Sequence, residues 1–165
     1  MRVTSIVPAM LGAALVLSLA HGAAAQGGPP PYGAPITLEQ AGKVTAAAMA
    51  EAKKNNWNVV ISVIDSGGHL VMLQRMDNTQ LGSIEIATNK ATTSLKLKRS
   101  TKVLHDVLAA GGSGLRMLTA FPGTALFEGG LLIVENGKII GAIGVSGVTQ
   151  EQDGQIAKAG ADVVK

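Results

Sequence analysis

Two histidines, His69 and His105, are the obvious metal-ligating side chains once the first 25 residues are set aside. Two imidazoles cannot fill a three-ligand catalytic zinc site of the usual kind. Haem asks for less, because one axial His, Tyr or Met suffices and basic side chains can meet the propionates. Candidate axial ligands are therefore His69, His105, Met72, Met76, Met117 and Tyr32, with Lys90, Lys96, Lys98 and Arg99 as candidate propionate partners. Asp65 precedes Ser66-Gly67-Gly68, where an aspartate most often accepts backbone N–H bonds in a turn. Other chemistries lack their parts. There is no cysteine, no H-E-x-x-H and no G-x-S-x-G. Gly111-Gly112-Ser113-Gly114 is followed by no Gly-Lys-Ser/Thr, so a phosphate loop is rejected. Ser146 has no evident His/Asp partner.

The elements that must position these side chains begin after an export signal. Arg2, the apolar run Ile6 to Ala20 and Ala23-Ala24-Ala25 before Gln26 have the form of a cleavable signal peptide over 1–25. The run is short of the ~20 residues that span a bilayer. A secreted or periplasmic chain without membrane attachment is expected, and without cysteine its core alone must stabilise it. Gln26 to Pro35 reads as a mobile Gly/Pro linker, leaving 36–165 as one domain.

Thr37 and Gln40 form a capping box that opens a helix to about Lys54, with Leu38, Ala41, Thr45, Ala48 and Ala52 as its packing stripe. Trp57 to Asp65 and His69 to Arg75 read as a hairpin, with Gly67 or Gly68 left-handed. From Gly82-Ser83 a helix presents Ile84, Ala87, Ala91 and Leu95; Lys90 stands at the edge of that stripe, where a lysine commonly snorkels to water. The basic run 96–102 offsets the helix dipole. Ser100 caps a short helix carrying His105. Phe121-Pro122-Gly123 marks a turn, and Thr124 to Glu128 predicts a short strand.

Leu131 to Gly147 carries the strongest local signal. Asn136-Gly137 between apolar runs predicts a type I′ hairpin, pairing Glu135 with Lys138, Val134 with Ile139 and Ile133 with Ile140. Alternation then puts Ile139, Gly141, Ile143 and Val145 on one face and Ile140, Ala142, Gly144 and Ser146 on the other. Both faces are apolar, so the strand is central, and Gly141 and Gly144 call for close approach of a backbone or a ligand. Thr149 and Gln152 cap a last helix containing Asp153. The order of elements is α+β with an antiparallel sheet.

Loss of Arg2 leaves 13 basic against 11 acidic residues, too even for a nucleic-acid footprint. The motifs D-x-G-G-x-L (65–70), N-K-A-x-T (89–93), F-P-G (121–123), G-G (129–130) and N-G-K-I-I-G-A-I-G-V-S-G (136–147), followed by Asp153 and A-x-A-G-A (157–161), resemble the GlcG/HbpS family across the whole domain. Gly130-Leu131-Leu132-Ile133 departs from it by lacking the proline often found before the isoleucine. The resemblance implies a profilin-like fold, with a five-stranded antiparallel sheet between helices, and a homo-oligomer. It also implies binding of haem or a comparable small anionic ligand, with haem degradation or sensing attached to secreted members. On the N-K-A-x-T match it carries Lys90 and Thr93 into the ligand site, to which His69, His105, Gly141 and Gly144 are added from their residue types. An enzyme acting on a small organic acid through Lys90 with Asp65 or Asp153, and a non-catalytic oligomeric module, remain as alternatives.

Overall fold

The computed structural model describes residues 28–116, 120 and 123–164. The expected signal peptide, Gln26 and Gly27 of the linker, Met117, and Phe121 and Pro122 of the expected turn lie outside these residues.

Helix α1 (Leu38–Lys54) starts with the expected box: the Thr37 hydroxyl accepts from the Gln40 N–H at 3.2 Å and the Gln40 side chain accepts from the Thr37 N–H at 3.0 Å. Its buried stripe is Ala41, Val44, Thr45, Ala48 and Ala52, with Val44 in the place expected for Leu38, which is 64% exposed. Strands β1 (Val60–Asp65) and β2 (Leu70–Arg75) form the first hairpin, and Gly68 supplies its left-handed residue at φ 88°. Helices α2 (Ser83–Leu97) and α3 (Thr101–Ala109) follow, then a 3-10 turn at Gly112–Arg116. Strands β3 (Gly130–Glu135) and β4 (Lys138–Ser146) and helix α4 (Gln150–Ala161) complete the domain.

The sheet is antiparallel, in the order β2-β1-β4-β3. Among the described residues four strands form where five were expected. The segment 124–128 joins no ladder because α2 takes its backbone donor: the Ala125 N–H bonds to the Thr93 hydroxyl at 3.0 Å. Its apolar residues Ala125 and Leu126 are buried nonetheless.

The second hairpin keeps the expected Glu135–Lys138 and Val134–Ile139 pairs, but Ile133 then faces Gly141 and Ile140 is left over as a β-bulge. One extra residue inverts the alternation. Ile139 therefore joins Ile64, Ala91, Leu95 and Ala142 under α2, while Ile140 joins Ile61, Val63, Ile143 and Val145 under α1 and α4. The expected face sets are corrected accordingly. Part of the expected mobile linker stands beside the bulge. Ile139 N–H donates to Pro31, Gly33 N–H to Ile139 and Ile36 N–H to Ile140, each at 2.8 Å, so residues 31–36 form a strap along β4 where β1 has ended. Such pairing needs an N-terminal segment whose partners lie more than 100 residues away, which local composition does not encode.

Helices thus cover both sheet faces, α2 on one and α1 with α4 on the other. A Cβ on Gly144 would overlap the Ala87 carbonyl oxygen, and one on Gly141 the Ile64 carbonyl oxygen. Both glycines admit backbone: Gly144 seats α2 directly on β4, placing Lys90 at the end of the sheet.

Candidate functional site

Lys90 does not snorkel. Its Nζ donates to the Val145 carbonyl at 2.9 Å and to Asp153 Oδ2 at 2.8 Å, and both charged side chains are 3% exposed. Residues from opposite helical layers, α2 and α4, meet here past the end of β4. Gly129 makes the enclosure possible. Its φ of 122° favours glycine, and a Cβ there would stand 2.9 Å from Lys90 Nζ. Asp153 Oδ1 also receives the Val148 N–H at 3.3 Å. Burial pushes the Asp153 carboxyl above its usual pKa, opposed by the Lys90 charge and hydrogen bond and by the N–H groups of Val148 and Gly147.

The pair forms the floor of an open cleft of about 390 Å³, with His105, Ser146, Gln150 and Phe127 among its walls. Ser146 donates to the Ser83 hydroxyl at 3.3 Å rather than to a base, so no nucleophile is assembled. His105 comes from α3 and its ring is one-third exposed. Nδ1 lies 3.4 Å from Asp106 Oδ1 and Nε2 lies 3.4 Å from Gln150 Nε2. Lys102 and then His105 hold the Asp106 carboxyl below its usual pKa. A second hollow of about 380 Å³ adjoins, lined by Leu108, Ala109, Thr124 and Leu126 and sharing His105 and Phe127 with the first. One imidazole therefore stands where a polar floor meets an apolar recess.

The other expected site residues fall elsewhere. His69 sits in the β1–β2 turn with its side chain 84% exposed. Asp65 opposes Gly141 and Val60 opposes Ser146, so roughly 17 Å of strand separates that turn from the cleft. His69 and His105 accordingly cannot share an ion. Among the described residues no group of three or more His, Cys, Asp or Glu could hold a metal. Asp65 performs the turn chemistry expected of it, accepting from Gly67 at 2.8 Å and His69 at 2.9 Å. Thr93 is buried against the 124–126 segment, while Gly141 and Gly144 face backbone, not the cleft.

Tyr32 donates to the Leu95 carbonyl at 2.8 Å and lies under Lys98, whose Nζ is 4.2 Å from the ring centroid. That spends one candidate ligand and one candidate propionate partner on the strap. Met72 and Met76 pack against the α1–α4 core. Gln150 and Phe127 were not singled out by sequence: neither a first-turn glutamine nor a loop phenylalanine carries a spacing signal that points to His105.

A family model described as "Haem degrading protein HbpS-like" matches residues 36–162. The chain belongs to this HbpS-like family. A 15.0 kDa protein from the dhaT-dhaS intergenic region of Citrobacter freundii is 43% identical over 131 residues, 78% of this chain and 92% of that protein. Protein GlcG of Escherichia coli K12 is 40% identical over 111 residues, 67% of this chain and 81% of its own. Among solved structures, a PduOC–haem complex superposes with a TM-score of 0.74 at 30% identity, covering 79% of this chain and 96% of that one.

Proposed function

We propose that this is an exported haem-binding protein that takes haem at the paired hollows around His105. The observation that carries the reading is a partly exposed imidazole shared by a polar cleft and an apolar recess, in a chain whose solved relative holds haem. Haem, when bound, supplies a redox-active iron in an apolar macrocycle. The residues present fit such a group. His105 offers one ring nitrogen, and Asp106 at the other orients the ring. Leu108, Leu126 and Phe127 provide apolar surface that excludes water. Lys90 is no propionate partner in this reading, because Asp153 already neutralises it within an enclosed pair.

Titration of hemin into the purified protein, followed at the Soret band, tests the proposal. Saturable binding with a shifted band is expected, and His105→Ala should weaken or abolish the shift while His69→Ala keeps it. No shift in the native protein would overturn the reading. Degradation, the activity in the family's description, extends the proposal and would show as bleaching of that band once a reductant and oxygen are supplied. Export belongs to it too: the N-terminal sequence of the protein recovered outside the cytoplasm should begin at Gln26. None of the described helices is long and apolar enough to cross a membrane.

A further inference from the structure

The His105 ring is held at both nitrogens, and the two contacts differ in kind. Asp106 offers only acceptors to Nδ1 and the Gln150 amide nitrogen only donors to Nε2, a pair of contacts met together when the ring hydrogen sits on Nδ1 and Nε2 keeps its lone pair. The Gln150 amide nitrogen, 3.4 Å away, donates to that lone pair. Gln150 Oε1 meanwhile is buried with no hydrogen-bond partner among the described residues, although buried side-chain acceptors are normally satisfied. The amide thus turns its nitrogen to His105 and leaves its own oxygen unpaired. It also lies on the nitrogen that an axial ligand must present.

Resting on the haem-binding reading, we infer that Gln150 controls access to His105, holding the imidazole as the Nδ1–H tautomer with Nε2 turned to the cleft and covering that nitrogen until a metalloporphyrin displaces the amide. Gln150 is a positioning residue on this account and touches the iron at no stage. Its place suits the role. It follows the N-cap Thr149 as the first residue of α4, at the end of the helix that borders the cleft. The amide keeps an acceptor when it leaves Nε2, because it already interacts with the Glu151 carboxyl and, after that residue's own backbone N–H, is the next cause holding it below its usual pKa. Displacement also frees Oε1 to meet water.

The test compares native protein with Gln150→Met, which keeps the side-chain length and removes the donor, and with Gln150→Ala in case the thioether obstructs the cleft. Stopped-flow mixing with hemin at one fixed pH reads the association rate from the Soret band. Nitrogen-15 NMR of the hemin-free protein reads the tautomer of His105. Loss of one neutral hydrogen bond should speed association roughly 2- to 12-fold in both variants. The native ring should be the Nδ1–H tautomer, and the variants a mixture. Equal or slower association in the variants, or a native-like tautomer in both, would overturn the role of Gln150 while leaving haem binding intact. Absence of a Soret shift in every protein, the native one included, would overturn the haem reading and the access role with it.

Discussion

At one end of the β1–β4 ladder Asp65 and His69, four residues apart, close a turn; at the other, Asp153 and His105 from different helices share a cleft. The residue types are the same and the outcomes are opposite. Burial works against the ionised Asp65, yet the His69 and Gly67 N–H groups and the His69 ring outweigh it and leave its pKa below the usual range. Burial prevails at Asp153 and leaves its pKa raised despite Lys90. An aspartate beside backbone donors serves its own loop, whereas one enclosed with a lysine joins distant layers and helps to shape a cavity. Polar atoms at the turn are spent within five residues of chain. The cleft brings together residues more than 60 positions apart.

The largest effect should come from opening the ion pair. Lys90→Met leaves Asp153 buried and uncompensated and should cost about 3–5 kcal/mol in urea denaturation, whereas Lys90→Met with Asp153→Leu should recover most of that loss. A single variant as stable as the native protein would show that water reaches the pair, erasing the contrast between the two ends. Next, Gly144→Ala forces the Ala87 carbonyl, and α2 with it, off β4, at an expected cost of about 1–3 kcal/mol by thermal unfolding.

Acid should then separate the two aspartates by sign. Asp65, with its folded pKa depressed, contributes stability that is present above its unfolded value of about 3.9 and lost as pH falls through the folded value. Asp153, with its folded pKa raised, favours the folded state below about 3.9 and loses that contribution as pH rises through the folded value. Stability measured against pH should therefore show a shallower acid loss in Asp65→Asn and a steeper one in Asp153→Asn; matching slopes would refute the distinction. The smallest effect is expected of His69→Ala, within about 0.5 kcal/mol in stability, because its ring is at the surface.

Secondary structure was legible wherever one segment decides it. Thr37–Gln40 and Thr149–Gln152 cap their helices as their spacing predicts, and Asn136-Gly137 sets its turn, since each motif contains both partners of its contacts. Ile140 marks where legibility ended, because the bulge stands against a strap from the other end of the domain. The expected fifth strand shows the same limit: whether 124–128 pairs depends on a Thr93 hydroxyl supplied by α2. In the site, His105 could be nominated by type alone. By local pattern Lys90 reads as a solvated helix-edge residue and Asp153 as a first-turn acid; the family motif put Lys90 in a site, and the organic-acid alternative left its partner open between Asp65 and Asp153, because the counter-charge lies 63 positions downstream. The glycines of β4 were located correctly as points of close approach, but sequence does not say whether helix or ligand approaches.

The strap along β4 bears on how the chain may be trimmed. Pro31, Gly33 and Ile36 occupy hydrogen-bonding groups of Ile139 and Ile140 that would otherwise form a bare sheet margin next to apolar side chains. A chain shortened to begin at residue 37 would retain every helix and strand of the fold, yet it would offer that margin as a template for pairing with other molecules. Residues 31–35, from a stretch with the composition of a spacer, thus help with Ile36 to keep neighbouring copies from adding to the sheet.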